Sequence, residues 1–136
     1  MYVDNAATTQ KPQCVIDAMT YFYTHQNGNA QRASHRLARA STDMVEKTRR
    51  LAADFLGASS EREVVFSAGA TEAFNIIAYG LSAFCESGDE IVVSDSEHHA
   101  NLLPWQRLAQ QQQCELQFFK AEKGVLDFDQ WLAEKG

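Results

Sequence analysis

The sequence of 136 residues predicts an α/β fold, with helices packed on a mainly parallel sheet and preceded by amino-terminal helices. Three observations predict it. The run Glu90-Ile91-Val92-Val93 is continuous and β-branched, as a strand buried on both faces requires in a parallel sheet covered by helices. Between the strand-like runs, apolar residues recur at helical spacing, so strands and helices alternate. Finally, Val64-Val65-Phe66 runs into the small-residue turn Ser67-Ala68-Gly69 and then into a helical pattern, Phe74, Ile77, Ala78, Leu81 and Phe84. That is a strand feeding a helix amino terminus, the joint from which right-handed crossovers are built.

In chain order, Tyr2-Val3 precedes a polar, small-residue loop, Asp4 to Thr9. Pro12 suits the first turn of a helix capped near Thr9 or Gln10, with Val15, Ala18, Met19 and Phe22 facing inward. Asn27-Gly28-Asn29 should end it. From Leu37, apolar positions recur through Met44, Val45, Leu51, Ala52, Phe55 and Leu56, and Gly57 is placed to stop this long amphipathic helix. Its charged residues, among them Arg39, Glu46, Arg49 and Arg50, read as a solvated face. Residues 1–57 thus form an amino-terminal loop-and-helix region, and 58–136 a partial α/β domain. Strands are expected at Val64–Phe66, Glu90–Val93 and Glu115–Phe119. Helices should follow each of them, the second from Leu103 to Gln113 with Pro104 near its start, the last from Phe128 to Ala133 after a turn at Gly124.

Twelve basic and eighteen acidic residues give a net charge of −6, with no basic cluster. That balance argues against nucleic acid and anionic membrane as partners. The apolar runs are too short to span a bilayer, and no amino-terminal signal pattern is visible. Cys14, Cys85 and Cys114 form neither a disulfide framework nor a metal spacing. They read as reduced, intracellular, small buried or half-buried hydrophobes.

Two strand ends carry candidate chemistry, because open α/β sheets hold ligands at the carboxyl ends of their strands. At Gly69-Ala70-Thr71 the first turn of a helix leaves N–H groups unpaired at the positive end of the macrodipole, and Thr71 adds a hydroxyl. This is a seat for phosphate or carboxylate, unless Ala70 and Thr71 simply begin a helix. The second strand end is Ser94-Asp95-Ser96-Glu97-His98-His99-Ala100-Asn101. Adjacent histidines should diverge, and no H-E-x-x-H or Cys–His spacing accompanies them, so no metal site is expected. An imidazole laid on a planar ring beside the anion seat is the better use. Neither G-x-G-x-x-G nor a Walker-type loop is present, which disfavours NAD and ATP. Gln31-Arg32-Ala33-Ser34-His35-Arg36 is a polar loop that could hold a cation near an anionic ligand.

Ser67-Ala68-Gly69-Ala70-Thr71-Glu72, Glu97-His98-His99-Ala100-Asn101-Leu102-Leu103-Pro104-Trp105 and the opening Tyr2-Val3-Asp4-Asn5-Ala6-Ala7-Thr8 together resemble the pyridoxal-phosphate cysteine desulfurases of the Suf and Csd type, within the class V aminotransferase group. The resemblance covers nearly the whole chain. It implies part of the large domain of a fold-type I enzyme dependent on pyridoxal 5'-phosphate (PLP). Ala70 and Thr71 would hold the cofactor phosphate, and His98 would stack on the pyridine ring and help move protons. Ala7 would lie beside the substrate carboxylate, with Arg32 and His35 lining the substrate approach. The implied reaction takes sulfur from cysteine, or a related sulfinate or selenium substrate, leaving alanine and an enzyme persulfide for a sulfur-acceptor protein. A cytoplasmic homodimer serving iron–sulfur cluster assembly is the implied setting.

Departures bear on the substrate. Gln31 stands where close relatives often have histidine, and Ala68 and Ala70 replace the arginine and first threonine of the Suf-type turn, although Gly-Ala-Thr is usual in the Isc-type branch. The family's Schiff-base lysine follows Ser-x-His, a pattern not found here; Lys120, at a strand end, is the only candidate that position alone suggests, and it reads better as an exposed strand-end charge. The pyridine-nitrogen acid, the persulfide-forming cysteine and the substrate-carboxylate arginine have no counterpart either. The expectation is therefore an amino-terminal part of a longer enzyme, inactive by itself. The alternatives are another class V activity, an aminotransferase or kynureninase-like lyase, or a non-catalytic domain that binds an anion or a partner.

Overall fold

The computed structural model describes residues 1–31, 34–120 and 127–135. They divide into two compact units, Met1–Val65 and Phe66–Gly136.

In the first unit, the opening loop is tied by Tyr2, whose hydroxyl donates to the carbonyls of Asp4 (2.6 Å) and Thr8 (2.7 Å). Helix α1 spans Gln13–Tyr21 with Pro12 as its amino-terminal cap. It starts later than a Thr9 or Gln10 cap would place it, because the residue before a proline is pushed out of the helical region. The helical path continues as a π-helical turn, Phe22–Gln26, and stops at Asn27. Within it, the Thr24 hydroxyl donates to the Thr20 carbonyl at 2.7 Å, competing for an acceptor that α-helical pairing would use. Gly28 is required by packing: a Cβ there would stand 2.7 Å from the Leu37 carbonyl carbon and 2.9 Å from the Ala38 nitrogen.

Helix α2 spans Arg36–Leu56, and Gly57 ends it in the left-handed conformation, φ 70°. The Ala58 N–H returns to the Ala53 carbonyl at 2.9 Å, the longer bond of a Schellman closure. The side chains that α2 buries are small, Ala38, Ser41 and Ala53. Ser41 donates to the Gln26 carbonyl at 3.2 Å, which holds α2 against the end of the preceding helical segment. Arg49 departs from the expected solvated face: it is half-buried and its guanidinium donates to the Val64 carbonyl.

The second unit holds α3 (Ala70–Leu81), β1 (Glu90–Ser94), α4 (Leu103–Gln112), β2 (Glu115–Phe119) and α5 (Phe128–Lys135). Strands β1 and β2 run parallel in register from Glu90 opposite Glu115 to Ser94 opposite Phe119. Helix α4 is the crossover between them. Pro104 sits in its first turn, and Gln113, φ 58°, ends it in a left-handed conformation although it is not glycine. Phe119, Phe128 and Trp131 form an aromatic cluster, Phe128 and Trp131 stacking at 5.5 Å. The expected turn at Gly124 lies outside the described residues.

Two expectations are corrected. Val64–Phe66 joins no ladder; among the described residues the sheet has two strands, and the Val64 carbonyl accepts from Arg49. The apolar stripes are also less covered than their periodicity suggests. Val15 and Met19 on α1 are exposed, as are Leu51, Phe55 and Leu56 on α2, and among the described residues the buried apolar side chains include Ala38, Ala53, Ala78, Val93, Leu108 and Ala109. Periodicity encodes which face is apolar, not whether a neighbouring layer is there to cover it. Cys14 is exposed rather than buried, since it lies on α1, which buries none of its residues.

Candidate functional site

The Ser67–Thr71 turn forms as its composition suggests. Gly69 precedes α3 with an extended backbone (φ 161°, ψ 177°), and a Cβ at this position would meet nothing within 4 Å. Glycine there answers no steric need inside the chain; it keeps the approach to the helix end open. The first backbone bond into α3 is Ala73 N–H to the Gly69 carbonyl, 3.0 Å. The N–H groups of Ala70, Thr71 and Glu72 therefore precede the helix's own hydrogen-bond ladder. Glu72 folds back to accept from the Ala68 N–H at 2.5 Å. This carboxylate steadies the turn from the side while the Ala70–Thr71 edge stays exposed.

The second strand end is held by a relay at helical spacing. Asn101 Nδ2 donates to Glu97 Oε2 at 2.8 Å, and Trp105 Nε1 donates to Asn101 Oδ1 at 2.9 Å. Residues 97, 101 and 105 are thereby fixed in a row, and the loop between Glu97 and Asn101 presents the two histidines. His98 caps the short 3₁₀ turn His99–Asn101, its Nδ1 accepting from the Ala100 N–H at 3.1 Å. A ring accepting at Nδ1 carries its proton at Nε2, directed away from the backbone. The rings of His98 and His99, expected to diverge, instead pack edge to face with centroids 6.2 Å apart at 64°. Among the described residues no group of histidine, cysteine or carboxylate side chains could hold a metal ion.

The start of α3 and the loop after β1 meet at one groove. A cavity of about 450 Å³ is lined by Thr71 and Asn75 of α3, by His98, His99 and Ala100, and by Leu103, Pro104 and Arg107 at the start of α4. Thr71 and His98, chosen from the sequence for an anion seat and a ring platform, thus face the same space. Ala70 precedes Thr71 on the same turn. Asn75 and Arg107 were missed by the sequence reading; the signal was their spacing, four residues after Thr71 and after Leu103. Arg107 brings a positive charge to the wall of the groove. Ala7 and His35 belong to the first unit. Ala7 closes a turn, its N–H donating to the Asp4 carbonyl at 3.2 Å, and His35 caps α2, its Nδ1 accepting from the Ala38 N–H at 3.2 Å. Arg32 lies outside the described residues. Lys120 follows β2 directly and is exposed.

Residues 1–134 match the family described as aminotransferase class-V. The chain belongs to that family. Over 112 residues it is 49% identical to the probable cysteine desulfurase 1 of Mycobacterium leprae, covering 82% of this chain and 18% of that protein. Over 132 residues it is 46% identical to a probable cysteine desulfurase of Pseudomonas putida, covering 96% of this chain and 33% of that one. The apo cysteine desulfurase from Thermococcus onnurineus NA1 superposes with a TM-score of 0.88 at 39% identity, covering 95% of this chain and 32% of that structure. The chain thus spans about a third or less of the length of each of these proteins. No helix among the described residues is long and apolar enough to cross a membrane.

Proposed function

We propose that this chain carries the cofactor-phosphate seat and ring platform of a PLP-dependent cysteine desulfurase. The observation that carries the reading is the shared groove: Thr71, on the first turn of α3, and His98, in the loop after β1, line the same cavity. The residues fit the cofactor. The α3 terminus offers N–H groups and a hydroxyl to a phosphate, Gly69 leaves the approach open, and His98 offers a flat ring on the same wall. When bound, PLP supplies the electron sink that such chemistry on an amino acid needs. The chain's own residues do the rest. Ala70 and Thr71 bind the phosphate through N–H groups and the Thr71 hydroxyl. His98 packs on the pyridine ring, and its engaged Nδ1 leaves Nε2 as the atom that holds or passes a proton. The family resemblance implies that Ala7 would lie beside the substrate carboxylate and that Arg32 and His35 would line the substrate approach.

The activity belongs to the complete enzyme, in which cysteine gives alanine and a persulfide that passes to an acceptor protein, within a cytoplasmic homodimer that feeds iron–sulfur cluster assembly. The identity of 49% and 46% to proteins named as probable cysteine desulfurases supports cysteine as the substrate. The test uses the complete protein, with PLP affinity read from visible absorbance and alanine formation from cysteine. His98→Ala should shift the cofactor spectrum and slow alanine formation, and His99→Ala should do much less. Equal effects from the two changes overturn the platform role of His98. Cofactor binding without alanine formation points instead to a different class-V reaction.

A further inference from the structure

At the end of the strands opposite the His98 loop, two cysteines that the proposed reaction does not use are brought together. Cys85 lies in the segment after α3, and Cys114 lies directly before β2; both are half-buried. The two segments are laced to each other. Gly88 N–H donates to the Gln113 carbonyl at 3.0 Å, and Glu115 N–H to the Asp89 carbonyl at 2.7 Å. The Cys114 thiol donates to the carbonyl of Glu86, the residue next to Cys85, at 3.4 Å. We propose that Cys85 and Cys114 are a disulfide-forming pair, oxidised by a low-molecular-weight disulfide, that staples the segment after α3 to the start of β2.

The steps balance as thiol–disulfide exchange. The Cys85 thiolate attacks one sulfur of the small disulfide, and the first small thiolate leaves. The Cys114 sulfur, after losing its proton to solvent, attacks the mixed disulfide at Cys85 and expels the second. The small disulfide is reduced to two thiols, and the two cysteines are oxidised to one disulfide. Cys114 suits the second step. Lost hydration, and then Cys85 and Asp89 beside it, push its thiol above the ordinary range, which holds it back as a first nucleophile. Cys14, exposed on α1 in the first unit, serves as the internal control.

The experiment is to equilibrate this chain with glutathione disulfide, trap the remaining thiols by alkylation, and map the linked peptides by mass spectrometry. The expected result is a Cys85–Cys114 link with Cys14 left as a thiol or a glutathione adduct. The midpoint of thermal unfolding should rise by several degrees on oxidation, and both the link and the rise should be lost in Cys85→Ser. A link through Cys14, separate glutathione adducts on Cys85 and Cys114, or a Cys85–Cys114 yield no greater in the folded chain than in urea overturns the pairing. An unchanged midpoint in linked protein overturns the staple.

Discussion

Replacing Asn101 by alanine should cut the row that holds the His98 loop. The amide makes two side-chain bonds, one donated to the Glu97 carboxylate at 2.8 Å and one accepted from the Trp105 indole at 2.9 Å. A hydrogen bond to a charged group contributes about 1.5–3 kcal/mol and a neutral one about 0.5–1.5 kcal/mol. Asn101, Glu97 and Trp105 are half-buried, so water recovers part of both bonds on truncation. The expected loss is about 2 kcal/mol, roughly a thirtyfold change in the folding equilibrium. Urea unfolding followed by circular dichroism measures it. A double-mutant cycle with Trp105→Phe, which keeps an aromatic ring and removes only the N–H, isolates the indole bond, with a coupling of about 1 kcal/mol. Because Glu97, Asn101 and Trp105 are not among the residues lining the groove and act through the loop they hold, the complete enzyme should show weaker PLP binding with an unchanged bound spectrum. A loss below about 0.5 kcal/mol together with no coupling would refute the idea that this row supports the site.

Thr71→Val in the complete enzyme should weaken PLP binding by about 1.5–3 kcal/mol, read by equilibrium titration, since a charge-assisted bond to phosphate is lost while shape is kept; unchanged affinity removes Thr71 from the site. Gly28→Ala should destabilise the first unit by about 1–3 kcal/mol, because its methyl would press on the Leu37 and Ala38 backbone, which cannot swing aside as a side-chain tip would. Gly57→Ala meets no neighbour and should lose only about 1 kcal/mol, from the left-handed backbone alone. At a pH near the ordinary thiol value of about 8.5, Cys114 should alkylate more slowly in the folded chain than in urea, because its raised pKa leaves less thiolate in the fold. The difference should narrow as the pH rises past the folded value; equal rates at the lower pH contradict the shift.

What the sequence determined by itself was local. Helix α2 was legible from its apolar spacing and from Gly57, because a positive φ at a helix end has few residues that tolerate it. Strands β1 and β2 were legible as β-prone runs, and the Gly69-Ala70-Thr71 turn as a helix start, because these depend on neighbours a few residues apart. The family resemblance supplied the roles, and the match over residues 1–134 bears out the family. Tertiary structure decided whatever depends on residues far apart in the chain. It placed Thr71 and His98, 27 positions apart by their numbering, on one cavity wall together with Arg107. It gave the Val64 carbonyl to Arg49 instead of to a strand, which no local pattern at Val64–Phe66 could reveal. It also laced the Cys85 segment to Cys114, although their spacing in the sequence carries no motif. Propensity and periodicity act over a few residues, whereas a ladder partner, a covering layer or a shared groove is supplied by chain that sequence order alone does not bring near.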